Sequence, residues 1–154
     1  MKISEIIEPQ RVAIDQPLAS KKAVLEKLAE MLSSADTRLN HQEVFNSLVA
    51  RERLGTTGLG EGIAIPHGRV PTQASSIGAF VRTAEPINFD AVDNAPVDLF
   101  FALCVPEDAT DEHLKLLSAL ATRFSDREFV AELRTCSSLD DVIGCLANGD
   151  GSAE

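Results

Sequence analysis

Only three cysteines occur in the 154 residues, Cys104, Cys136 and Cys145. An odd number, set inside apolar stretches, argues against a disulfide framework and for buried free thiols in a reducing compartment. No His, Cys, Asp and Glu cluster has metal-site spacing, so no metal is expected. Basic residues are also few: 14 Lys and Arg stand against 24 Asp and Glu, for a net charge of -10. A chain so acidic lacks the basic face that a phosphate backbone needs, which speaks against nucleic acid and for basic protein partners. No apolar run approaches the roughly 20 residues of a membrane span, and the N-terminus has neither the charged nor the apolar region of a signal peptide. A cytoplasmic protein without membrane insertion is expected. Internal repeats and low-complexity blocks are absent too.

What is present is ordinary globular material, 44% apolar and 25% charged, enough for one domain. We place that domain at 1–147 and a flexible tail at 148–154. Val24, Leu25, Leu28, Met31 and Leu32 recur at helical spacing after Ser20, and Val44, Phe45, Leu48 and Val49 do so from Asn40 to about Arg53, with Gly55 ending the second helix. Ile63-Ala64-Ile65 reads as a short strand in a glycine-rich loop from Gly55 to Gly68. Ile77 to Thr83 reads as a strand and Glu85 to Pro96 as a loop, while Val97 to Val105 is a central strand buried on both faces. Helices follow from Thr110, from Asp126 to Arg134 and from Ser138 to Leu146. This order predicts an α/β fold, a three-layer sandwich of a mixed β-sheet with helices on both faces. The strand order does not follow from it.

His67 is the residue best placed for chemistry. Pro66 stiffens the backbone before it and Gly68 removes a side chain after it, leaving an imidazole at the end of a strand. A histidine with a pKa near 6.5 is largely uncharged at neutral pH and needs no separate base to act as a nucleophile. On spacing alone, a ring that merely hydrogen-bonds at a strand end is the commoner case. His113 falls in the first turn of a helix, where free N–H groups favour an anion, although a solvated histidine fits as well. Arg51 and Arg53 end a helix that feeds the glycine loop, and either could aim a guanidinium at a phosphate or simply complement the helix terminus. His41 sits among polar cap residues and receives no role. The glycines follow a helix and lack Gly-Lys-Ser/Thr, so they do not form a nucleotide loop.

Glu52, six residues, Leu59-Gly60, two residues, and Ile63-Ala64-Ile65-Pro66-His67-Gly68 together resemble the phosphorylation-site signature of mannitol/fructose-type enzyme IIA domains of the bacterial phosphotransferase system. Arg51-Glu52-Arg53-Leu54-Gly55, Phe89-Asp90, Asp93 to Leu99 and Glu112-His113-Leu114 resemble the nitrogen-related branch, and the likeness runs to about Leu146. It implies a phosphotransferase component that takes a phosphoryl group onto His67 from a histidine phosphocarrier protein, with His113 and Arg51 as supports. It implies no cofactor, ATP or Mg²⁺ of the chain's own. Regulated kinases or ion transporters are expected as partners. A fructose- or mannitol-specific enzyme IIA serving a sugar permease, or a pure protein-binding regulatory module, stays open beside this. Leu59 and Ile63, apolar in a glycine-rich loop, are expected to help form the docking patch.

Overall fold

The computed structural model describes residues 3–71, 76–108 and 110–151. Among them the helices are α1 (Ile3–Ile6), α2 (Lys21–Ser33), α3 (His41–Leu54), α4 (Thr110–Phe124), α5 (Arg127–Thr135) and α6 (Leu139–Gly151). The strands are β1 (Val12–Gln16), β2 (Gly58–Gly60), β3 (Ile63–Ala64), β4 (His67–Val70), β5 (Ile77–Ile87) and β6 (Val97–Pro106). Three helices begin on side-chain caps visible in the sequence. Ser20 accepts from Ala23 N, Asn40 from Glu43 N, and Asp126 from Glu128 N and Phe129 N, so each satisfies backbone donors that the first turn leaves free.

The strands form one mixed sheet in the order β1-β5-β6-β3-β2, with β4 also on β6. β5 and β6 are antiparallel, while β1 runs parallel to β5 and both β3 and β4 run parallel to β6. Ile63 pairs with Leu99 and His67 with Leu103, so the register on β6 is the same before and after Ile65-Pro66. β3 and β4 are therefore one line of chain with a proline break. Residues of alternating parity feed opposite faces. Ala64, Phe100, Ala102 and Cys104 pack under α2 and α3, whereas Ile63, Ile65, Phe101 and Leu103 pack with α1, α4, α5 and α6. The expected three-layer α/β sandwich is the observed one, and β6 is buried on both faces as expected.

Four local expectations need correction. The segment expected as loop from Glu85 begins later, because β5 continues to Ile87, and Pro86 is tolerated where the pairing with β6 shifts register between Arg82 and Ile87. The glycine-rich stretch holds β2 and β4 besides β3, and His67 opens β4 rather than closing a strand. β1 was not expected, since its five residues carry little pattern of their own. α6 continues to Gly151, and residues 152–154 of the expected tail lie outside the described residues.

Candidate functional site

His67 and Arg69 lie two residues apart on β4 and thus share a face, the one covered by α4. α3 lies across β4 from the other side, and Ser47 Oγ donates to the Arg69 carbonyl at 2.9 Å. That approach depends on Gly68, because a Cβ there would collide with Ser47 Oγ and lie 3.0 Å from its Cβ. Arg51, one helical turn beyond Ser47, reaches the ring of His67. Its Nε–H donates to His67 Nε2 at 3.1 Å and its Nη1 to the Gly55 carbonyl at 2.8 Å. Arg53 is exposed and takes no part.

The other nitrogen of the ring fixes the tautomer. His67 Nδ1 sits 2.9 Å from the Ile65 carbonyl, which can only accept, so Nδ1 carries the proton and Nε2 presents a lone pair. The Ile65 carbonyl is available because of Glu52. Ile65 N donates to Thr57 O at 3.1 Å, and an antiparallel pair would return a bond from Thr57 N to Ile65 O. Instead Thr57 N donates to the Glu52 carboxylate at 3.1 and 3.3 Å, and Thr57 Oγ1 donates there too. Glu52 is buried and paired with Lys21 Nζ at 3.0 Å.

His113 projects from the first turn of α4, and its ring meets that of His67 edge-on with centroids 5.3 Å apart. Arg69 Nε–H donates to His113 Nδ1 at 3.1 Å, which leaves the proton on Nε2. That Nε2 is buried without a hydrogen-bond partner. The residue is only 5% exposed. Burial holds the His67 pKa below its ordinary 6.5, with the Arg51 and Arg69 guanidiniums adding to the effect and the Ile65 carbonyl and Glu52 opposing it. Burial, then the neighbouring His67, Arg69 and Arg51, pushes His113 down to about 4. Both rings are therefore neutral at neutral pH.

The structure thus brings His67, Arg51 and His113 together, three residues singled out in the sequence. Arg69 was missed, although its position two residues after His67 was a usable signal once His67 begins a strand. His41 lies elsewhere and is exposed, its Nε2 3.4 Å from the Glu26 carbonyl. Ile63 must be withdrawn from any docking patch, since it is 3% exposed and belongs to the core, while Leu59 is 47% exposed. Leu54 and Leu114, at 85% and 60% exposed, directly follow Arg53 and His113 in sequence and are the larger apolar surfaces. No group of three or more His, Cys, Asp or Glu able to hold a metal occurs among the described residues. No described helix is long and apolar enough to cross a membrane.

The site therefore holds an imidazole lone pair met by the Arg51 N–H, beside a second histidine that Arg69 holds and whose Nε2–H is unspent, so that a nucleophilic nitrogen stands next to fixed hydrogen-bond donors. Residues 5–149 match the family model described as phosphoenolpyruvate-dependent sugar phosphotransferase system, EIIA 2, and the chain belongs to that family. Within it, the chain is similar to the nitrogen regulatory protein of Pseudomonas aeruginosa, 41% identical over 152 residues that cover 97% of this chain and 99% of that one. The crystal structure of nitrogen regulatory protein IIA-Ntr from Neisseria meningitidis superposes with a TM-score of 0.87 at 46% identity, covering 94% of this chain and 98% of the other. A fructose-specific EIIA component from Haloferax volcanii is 33% identical, over 92% of this chain and 94% of its own length.

Proposed function

We propose that this chain is a regulatory phosphocarrier of a nitrogen-related phosphotransferase system, accepting a phosphoryl group on His67 Nε2 from a histidine phosphocarrier protein. Its phosphorylation state would control partner proteins in the cytoplasm, regulated kinases or ion transporters among them. The observation that carries the reading is the divided ring of His67, with Nδ1–H committed to the Ile65 carbonyl and the Nε2 lone pair facing Arg51.

The chemistry follows from that division. The Nε2 lone pair attacks phosphorus in line, and the donor's N–P bond breaks with its electron pair returning to the donor imidazole. No proton has to leave His67, because Nε2 carries none. The Arg51 Nε–H moves from the ring nitrogen to a phosphoryl oxygen, and His113 Nε2–H gains the acceptor it lacks. Fixed donors aimed where negative charge gathers are the main aid a protein gives such a transfer. Leu54 and Leu114 supply exposed apolar surface for docking, and the net charge of -10 attracts a carrier with a basic face.

Incubation with a phosphotransferase donor mixture followed by mass spectrometry tests this. One phosphate mapping to His67, absent from a folded His67→Ala variant, is expected; phosphate incorporated by that variant at the wild-type rate would refute the assignment. The fructose-specific relative at 33% identity favours a second reading, a sugar-specific enzyme IIA. Passage of phosphate from His67 to a permease domain would establish it.

A further inference from the structure

We propose that Arg69 is a positioning residue for this reaction: from β4 it holds His113 with Nδ1 as acceptor, so that Nε2–H is kept for the phosphoryl group on His67. The inference rests on the reading of His67 as phosphoryl acceptor. It assigns a role to a residue outside the resemblance that pointed to His67, His113 and Arg51.

Arg69 is well anchored for the task. Its backbone pairs with Val105 of β6 on one side and accepts from Ser47 Oγ on the other. The guanidinium therefore starts from a backbone fixed by both the sheet and α3. Among the described residues, the bond from Arg69 Nε at 3.1 Å is the one hydrogen bond made to the His113 ring. At 5% exposure, water offers the ring little substitute. Without Arg69 a buried Nδ1 would be left bare and unpaired, which is itself unfavourable. Nothing then selects one tautomer or one ring orientation, and in the Nδ1–H form, or with the ring turned over, the phosphoryl oxygens meet a lone pair instead of a donor. Arg69 thus acts through His113.

Two measurements on the full chain test this. The first needs no phosphorylation: ¹⁵N NMR of the His113 ring nitrogens. Wild type should show the Nε2–H form alone, with Nδ1 shifted by an accepted hydrogen bond. R69A should lose that shift and admit an Nδ1–H fraction; identical ring-nitrogen spectra would overturn the proposal. The second is a cycle of R69A, H113A and the double variant, reading transfer to His67. R69A should slow transfer about tenfold with the donor KM unchanged, yet less than about twofold once His113 is absent. Fully additive losses would mean that Arg69 meets phosphate or donor directly, and would overturn the positioning role. If wild type takes no phosphate on His67, the functional reading fails while the spectra still decide the Arg69–His113 relation. Because Arg69 is exposed, R69A is expected to fold.

Discussion

His113→Leu replaces a buried ring by an apolar side chain of similar volume, and removes an Nε2–H that has no acceptor in the resting protein. A buried donor left unpaired costs about 1–3 kcal/mol. Arg69, exposed, can exchange its bond to His113 for water. The variant should therefore be more stable than wild type by about 1 kcal/mol at neutral pH. Acid should widen the gap. The folded protein holds His113 at about 4 against an ordinary 6.5, so below pH 6.5 the unfolded chain binds a proton that the folded chain refuses, and wild-type stability falls as pH falls towards 4. At about 1.4 kcal/mol per pK unit the full difference is about 3 kcal/mol, developed near pH 4. Because the pI is about 4.7, the useful point is about pH 5.5, where roughly 1.4 kcal/mol should have appeared. Urea unfolding followed by far-UV circular dichroism is the assay, since the chain has no Trp or Tyr to fluoresce. A variant less stable than wild type at neutral pH, or a gap that does not change with pH, would refute the reasoning. Transfer to His67 should meanwhile slow, making stability and activity move in opposite directions.

Glu52→Gln keeps an acceptor for Thr57 but removes the charge opposite Lys21, and should cost about 2 kcal/mol of stability, read as a lower urea midpoint. Lys21 keeps Asp90 at 3.6 Å, which limits the loss; no change in midpoint would show that the pair contributes nothing. Gly68→Ala drives a methyl group into Ser47, should cost about 2 kcal/mol through overpacking, and should slow phosphorylation by displacing the helix that carries Arg51. Wild-type kinetics in a folded Gly68→Ala protein would show that Ser47 makes room without moving α3.

What could be read from the sequence was what is local. Ser20, Asn40 and Asp126 cap the helices they precede because a cap needs only the next two or three residues. β6 declared itself by an unbroken apolar run, buried on both faces. β1 did not, because its place beside β5 is set by pairing with residues nearly seventy positions away. The site divides in the same way. His67, His113 and Arg51 could be picked out by the resemblance, whereas Arg69 required knowing that His67 begins a strand, and the hydrogen bonds of Glu52 required seeing which partner Thr57 N chooses. Burial of Ile63 could not be told from exposure of Leu59, since both sit in the same apolar, glycine-rich stretch, and what separates them is that Ile63 lies on inner β3 beside β6 while Leu59 lies on the edge strand β2.

The bonds around His67 form a closed circuit. From Arg51 the path runs to His67, through Ile65 and Thr57 to Glu52, and Glu52 adjoins Arg51 in the chain. The circuit runs through 51–57 and 65–67 and bypasses 58–64, which leave and return across the Thr57–Ile65 pair. One residue added or removed within 52–57 or 65–67 would change the number of links in the ring and pull the His67 imidazole away from Arg51 or from the Ile65 carbonyl.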